Sequence, residues 1–339
     1  MTKFRLTIAS VLATFSLGIF TSWIGNELIF SKKIPVEKKI SIYSVEDKSG
    51  NNTLAIENKV AQPANPSINS PSTTSITETV KALSNIKVES YDTNFPSQAK
   101  ALFTTLKHQL RDLITSKLNS DTSKIQNPSI VQAAVISELE QEGIKIGNPW
   151  LDNKATLDDR YYTYGSIYEI RVEQPKNHPE LIVVTTSLGV CCGEDTSFYL
   201  FRKQGSKWQI TLEQEAKDYD YVDGAHGSFS YGISPSNKEK DFFVVTANIN
   251  PWCTSNWQSI RYTVMREGAW SSHPEIILNA SETIYLGVDD PVYKLDVKSD
   301  SFSLKFTGSS SSEEKYDGII CRPHTVKFRV KGMQALRIP

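Results

Sequence analysis

The sequence has few of the residues and motifs on which enzymes and nucleic-acid-binding proteins depend. It contains only 4 cysteines and 5 histidines in 339 residues, and its formal net charge is -1. It has no C-x-x-C or H-x-x-x-H metal pair and no G-x-S-x-G nucleophile motif. A nearly neutral chain lacks the basic surface that nucleic acid requires, so no nucleic acid is expected as a partner.

Cysteine is absent before Cys191, which excludes a lipidated cysteine near the N-terminus. The four cysteines are Cys191, Cys192, Cys253 and Cys321. In an exported chain they predict two structural disulfides, with three possible pairings. The alternatives are unpaired thiols, a redox-active pair at Cys191 and Cys192, or a metal site that includes His324. The adjacent spacing disfavours the redox alternative, and the missing second ligand pair disfavours the metal.

The N-terminal residues 1–30 predict a membrane segment. Lys3 and Arg5 precede 19 uncharged, mostly apolar residues at 6–24, which is just enough helix to cross a hydrocarbon core. The segment lacks the small-residue end of a cleaved signal, so we expect a membrane anchor with the rest of the chain facing the periplasm or cell exterior. Four lysines between 32 and 39 favour the opposite orientation. The alternative is secretion after signal cleavage.

The polar residues that follow predict a disordered tether over 31–92. The run from Gln62 to Ser75 consists mainly of Ser, Thr, Asn and Pro, which bury too little surface to offset their ordering entropy. A flexible segment of this kind would hold the folded part away from the membrane.

Two amphipathic helices are predicted in 93–150, as a helical hairpin that packs against a sheet. In the first, apolar residues recur every three or four positions and follow Pro96. These residues are Ala99, Leu102, Phe103, Leu106, Leu110, Leu113, Ile114 and Leu118. The second shows both ends, because Asn127 can cap it, Pro128 takes the first position and Gly143 ends it.

Residues 151–339 predict a β domain built from a repeat. Leu181 matches Phe242 and Cys192 matches Cys253 at an offset of 61, whereas Phe198 matches Ile260 and Trp208 matches Trp270 at 62. One inserted loop residue accounts for the difference. A looser third copy, from Ile284 onward, carries Cys321.

The repeat indicates a mainly β fold in which each unit of about 60 residues is an antiparallel sheet of about four strands. Glu169, Arg171 and Glu173 alternate with apolar residues and predict a wet face of one strand, whereas 181–186 predicts a strand covered on both faces. Three units are too few for an ordinary propeller, so a partial propeller and a sandwich of paired sheets remain open.

One acidic loop and the histidine after it are candidates for calcium binding or for hydrolytic catalysis. Asp218, Asp220 and Asp223 are spaced roughly like calcium ligands, but a solvated turn explains them as well. His226 follows them two residues before Ser228. A hydrolase would use His226 with Asp223 or Asp220, and the alternative is a glycine-containing turn. No cofactor is expected, with calcium as the one alternative.

The function predicted from these features is a membrane-anchored binding or scaffolding module outside the cytoplasm. Its partner would be a protein, peptide or glycan. The loops between Gly189 and Trp257 are the expected surface, because Trp252 and Trp257 lie close together in sequence and aromatic residues anchor recognition sites. Trp208 and Trp270, being repeated, are expected in the core. The alternative function is the extracytoplasmic hydrolase centred on His226.

Overall fold

The fold is known from a computed structural model, which describes residues 74–86, 94–120, 127–147, 164–236, 241–251, 257–285, 292–308 and 322–339. The predicted anchor at 6–24 lies outside these residues, and so do Trp252, Cys253 and Cys321. Within the described residues, no helix is both long enough and apolar enough to span a bilayer.

Three helices, rather than the predicted two, precede the sheets: α1 (Ile76–Ser84), α2 (Ser97–Asn119) and α3 (Pro128–Gln141). The apolar stripe of α2 is buried as predicted, from Ala99 to Leu118. In α3 the Asn127 side chain accepts a hydrogen bond from the Ser129 N–H, and Pro128 is the first helical residue. Both predicted helices are confirmed.

Helix α1 falls inside the segment predicted as a disordered tether, so that prediction is wrong for 76–84. Ser75 and Glu78 form a reciprocal capping box at its start, a sequence signal that was available. Leu83 is fully buried and packs on Gly165, where an added Cβ would lie 2.5 Å from the Leu83 Cδ1. Leu83 belongs to the hydrophobic core, and Ile76 and Val80 of the same helix pack against that core. The rest of the predicted tether, 31–73, lies outside the described residues.

The described β residues form three four-stranded antiparallel sheets, each with its strands in chain order or its reverse. The first contains β1 (Ile167–Glu173), β2 (Leu181–Val190), β3 (Gly193–Gln204) and β4 (Lys207–Gln214). The second contains β5 (Ser230–Ile233), β6 (Val244–Ile249), β7 (Trp257–Trp270) and β8 (His273–Tyr285). The third contains β9 (Tyr293–Val297), β10 (Ser301–Gly308), β11 (Arg322–Lys331) and β12 (Gln334–Ile338). The predicted antiparallel repeat is confirmed, and the described residues form no closed sheet or propeller.

The repeat is less regular than the sequence match indicates. Val183 pairs with Leu200 in the first sheet, and Val244 pairs with Met265 in the second. The second strands are thus offset by 61 residues but the third strands by 65, so the intervening loop is longer by four residues rather than one. Trp208 consequently lies on β4, whereas Trp270 lies at the end of β7 and is 73% exposed. The prediction that Trp270 lies in the core is wrong. The sequence match aligns it with Trp208, but the two residues lie on strands that are not equivalent in their sheets.

Apolar side chains form separate clusters on the two faces of β2. Ile182 and Val184 pack with the helices, whereas Leu181 and Val183 pack with Phe242 and other residues of the second unit. Because successive side chains of a strand point to opposite faces, β2 is covered on both sides, as its apolar run predicted. A further cluster lies between the second and third sheets.

The position of α1 in the core generates a stability prediction. We expect Leu83→Ala to lower the free energy of unfolding by about 2–5 kcal/mol, because it empties a site against a fixed backbone. The matched control is Ile130→Ala on α3, where the side chain is 46% exposed and the expected loss is below about 1 kcal/mol. Denaturant unfolding of the full chain measures both. Equal losses in the two variants would show that α1 is not part of the core.

Candidate functional site

A cleft of about 370 Å³ opens between the first sheet and the beginning of the second unit. Strand β1 contributes Glu169, Arg171 and Glu173 to its wall, and the segment at the start of β5 contributes Phe229 and Tyr231. Its floor comes from the two central strands, with Thr185 and Ser187 on β2 and Glu194 and Thr196 on β3. Four strands therefore fix the positions of these side chains, which favours a defined geometry.

The cleft exists because one face of β2 changes from apolar to polar along its length. Leu181 and Val183 pack with the second unit, and the next residues on that face, Thr185 and Ser187, line the cleft. The Ser187 Oγ lies 2.7 Å from the Thr196 Oγ1 across the β2–β3 pair. The wet face predicted for β1 is confirmed, and it borders this cleft rather than open solvent alone.

The charges at the mouth of the cleft are largely compensated. Arg171 donates to the Glu169 Oε1 at 2.7 Å, and its Nε lies 3.6 Å from the Glu173 Oε1. Tyr231 donates its hydroxyl to the other oxygen of Glu173 at 2.7 Å. The three charged side chains are about half exposed. They form a rim that is already paired.

Glu194 lies deeper and differs from the rim. Burial raises the pKa of its carboxyl, and the negative charges of Glu169 and Asp195 raise the pKa further. Hydrogen bonds from the Ser187 side chain and the Ser228 backbone favour the carboxylate but only partly offset these effects. Within the described residues, no Lys, Arg or His forms an ion pair with Glu194. A carboxyl whose pKa is perturbed by burial in a cleft is a candidate functional residue.

Asp195, the next residue, points to the opposite face of β3 and is fully compensated. Its Oδ2 lies 2.6 Å from the Lys107 Nζ, and both side chains are almost completely buried. Tyr219 donates its hydroxyl to Asp195 at 2.9 Å, and the His226 N–H donates at 3.2 Å. Lys107 also donates to the Ala216 carbonyl at 2.8 Å. This network joins α2, β3 and the connection between the first and second sheets.

That connection leads directly into the cleft wall. After His226 the chain reaches Phe229 and Tyr231, and Ser230 between them donates its hydroxyl to the Tyr293 hydroxyl at 2.8 Å. Tyr293, on β9, in turn lies 2.6 Å from the Ser228 carbonyl oxygen and 2.8 Å from the Ala247 carbonyl oxygen. Burial raises the pKa of Tyr293 to about 12, so this hydroxyl keeps its proton. The Asp195 network holds the wall from one side and the third sheet holds it from the other.

The proposed catalytic residues are not assembled as a hydrolase requires. The Nδ1 of His226 is buried and has no hydrogen-bond partner among the described residues, and burial lowers the pKa of His226. Asp220 is largely exposed and pairs with Lys100. Within the described ranges, no hydrogen bond or ion pair joins His226 to Asp220 or Asp223. The carboxylate that acts on His226 is Asp195, which Lys107 already neutralises.

The other predicted site residues are placed as follows. In the described part of the chain, no group of three or more His, Cys, Asp or Glu side chains could hold a metal ion, and this includes the acidic loop. Trp257 packs against Tyr285 at 4.9 Å between ring centroids, and it does not line the cleft.

The two adjacent cysteines lie close together. Cys191 is buried, and its Sγ lies 3.6 Å from the Cys192 Sγ. No disulfide joins two of the described residues. Cys253 and Cys321 fall outside them, so the two disulfides expected from the sequence stay a prediction.

Sequence reasoning missed Glu194, Ser187 and Thr196. Glu194 sits in a stretch with few apolar neighbours and matches no motif. The available signal was the pair of adjacent carboxylates at Glu194 and Asp195, which a strand must place on opposite faces. Only the structure shows that one of them has a buried cation and the other does not.

The buried pair generates a prediction about stability. We expect Lys107→Met to lower the free energy of unfolding by about 3–5 kcal/mol, because it leaves the Asp195 charge buried without a partner. The matched control is Lys100→Met, which removes the pair with the exposed Asp220 and should cost less than about 1 kcal/mol. The double variant Lys107→Met/Asp195→Asn should recover part of the loss, as measured by denaturant unfolding. Equal losses for the two lysines would contradict the role of the pair.

For Glu194 we predict that removing the charge stabilises the protein, in contrast to the loss of stability expected for Lys107→Met. Because its pKa is raised in the folded protein, ionisation costs stability as the pH rises through that pKa, and no cost exists below the ordinary value of 4.5. Glu194→Gln should therefore raise the melting temperature at pH 7, with the gain shrinking toward pH 4. The ionisable groups that interact electrostatically with Glu194 are Glu169, Asp195 and Tyr293, and they are the same in both proteins. The exposed Glu275→Gln is the control. A lower melting temperature of Glu194→Gln at pH 7 would contradict the prediction.

No protein-family model, no curated protein and no solved structure matches this chain. The cleft, its perturbed Glu194 and the buried network behind it are the features from which a function can be inferred.

Proposed function

We propose that the protein is a binding module outside the cytoplasm, held at the membrane by residues 6–24, and that the cleft is its recognition site. The apolar N-terminal segment supports the location, with secretion after signal cleavage as the alternative. The partner classes proposed from the sequence are a protein, a peptide or a glycan. A side chain or sugar ring of any of these could enter the cleft.

The observation that carries this proposal is the cleft with Glu194 in its floor. A volume of about 370 Å³ lies within the range of small-molecule sites. Hydroxyl groups of Thr185, Ser187 and Thr196 can donate and accept hydrogen bonds, and the Phe229 ring offers an apolar surface. Hydroxyl groups and an aromatic ring held on rigid strands are suited to binding a ligand that has both a polar group and an apolar part.

A hydrolase centred on His226 finds less support. A general base needs a hydrogen-bonded nucleophile and a carboxylate that orients the ring. In the described residues the Nδ1 of His226 has no such partner, and the nearby Asp195 is held by Lys107 and Tyr219. The arrangement fixes a loop rather than activating a nucleophile.

We further infer that the three sheets are arranged in the manner of a sandwich rather than a partial propeller. Apolar clusters lie between the first and second sheets and between the second and third. Face-to-face burial of this kind is what packs sheets in sandwiches. The cleft would then be the polar end of the first of these two interfaces.

The binding proposal is tested by probing arrays of peptides and glycans with the full chain in a non-ionic detergent. Glu169→Trp adds bulk at the mouth of the cleft and removes only a half-exposed ion pair, which costs less than about 1 kcal/mol. We expect this variant to lose binding by about tenfold or more. The matched control, Glu275→Trp, is exposed on β8 and should bind like the wild type. Equal binding by all three proteins would contradict the cleft as the site.

A further inference from the structure

The charges around the cleft leave one carboxylate without a counter-ion. Three glutamates, at 169, 173 and 194, line the cleft together with one arginine, Arg171. Arg171 contacts the two rim carboxylates, so the negative charge in the floor is that of Glu194. Among the described residues no cation pairs with it. A bound cation would supply the missing counter-charge.

The groups around Glu194 match an ammonium group better than a metal ion. No cluster of three or more His, Cys, Asp or Glu in the described ranges could hold a metal, so the carboxylates do not converge as metal ligands do. An ammonium has three donors and no acceptor. Glu194 can accept from it, and so can the hydroxyl oxygens of Ser187 and Thr196.

The opposite wall is aromatic. Phe229 and Tyr231 line the cleft, and Phe198 lies behind them at 6.0 and 5.2 Å between ring centroids. A cation is attracted to the face of an aromatic ring, and the attraction grows where water is excluded. The hydrocarbon part of an amine would find an apolar surface on the same rings. Neutral sugars would use the hydroxyls but leave the charge of Glu194 uncompensated.

We propose that the cleft binds a small organic ammonium group, with Glu194 as its counter-ion and Phe229 and Tyr231 as its aromatic wall. This inference rests on the proposed binding function and specifies the ligand's charged group. It also explains why the fold keeps an unpaired carboxyl that lowers its own stability. Functional sites commonly retain such costs.

The test uses matched probes that share a hydrocarbon part and differ in whether the head group is a charged ammonium or a neutral hydroxyl. n-Butylamine and benzylamine are compared with butan-1-ol and benzyl alcohol, by calorimetric titration of the full chain in a non-ionic detergent at pH 7. We expect the amines to bind and the alcohols to bind at least about tenfold more weakly. Glu194→Gln should weaken amine binding at least about tenfold, whereas the exposed Glu275→Gln should leave it unchanged.

The melting temperature of Glu194→Gln, measured on the same sample, separates a loss of binding from a loss of folding, because this variant is expected to melt at a higher temperature than the wild type. Equal binding of amines and alcohols would overturn the inference, and so would unchanged amine binding in Glu194→Gln. No binding of either amine up to roughly 10 mM would also overturn it. If the array experiment meanwhile finds a neutral ligand that Glu169→Trp blocks, the binding function stands and only the ammonium class fails. If the array experiment finds no cleft-dependent ligand, the binding function itself fails.

Discussion

The buried pair of Lys107 and Asp195 is the interaction on which the arrangement of this protein depends. Taking both charges out of water is costly, and their attraction offsets that cost only when hydrogen bonds satisfy the remaining atoms. Here Tyr219, His226 and the Ala216 carbonyl do so. The donors and acceptors come from a helix, a strand and an inter-sheet connection. A small shift of any of these three elements would leave a charge or a polar group unsatisfied, so the network fixes their mutual positions.

Two adjacent carboxylates of β3, Glu194 and Asp195, differ in whether a cation pairs with them. This difference leaves a carboxyl without a counter-ion in the described part of the cleft. Asp195 faces the helices and meets a lysine at 2.6 Å, whereas Glu194 faces the cleft and meets the Ser187 hydroxyl, the Ser228 backbone and other negative charges. The strand period of two places the two carboxylates on opposite faces of β3, so each meets a different environment. The ion pair on one face of β3 therefore fixes the strand, and the fixed strand holds the Glu194 carboxyl, which has no ion pair among the described residues, on the other face.

Much of the architecture could be predicted from local sequence patterns. The cap at Asn127, the stripe on α2 and the apolar run of β2 each depend on a few neighbouring residues, and each is confirmed. Helix α1 was missed because its capping box stands in a polar, proline-containing context. The role of Trp270 was wrong because a loop four residues longer shifts the strand register, which residue matching cannot detect. The cleft could not be predicted, because its residues come from four strands. Its charge could not be predicted either, because the sequence does not show which of the two adjacent carboxylates pairs with a cation.

Strand β2 has ten consecutive buried residues, and this has a consequence for how the chain reaches its native state. One covering layer, the helices, precedes it in the sequence, but the residues of the second unit that cover its other face follow only some sixty residues later. In a nascent chain the helices can therefore cover one face of β2, while the other face stays uncovered until the residues of the second unit have been synthesised. Such a half-covered, β-prone segment is a template for association with other chains. The second repeat must therefore be in place before β2 is fully covered, and association with other chains competes with folding until then.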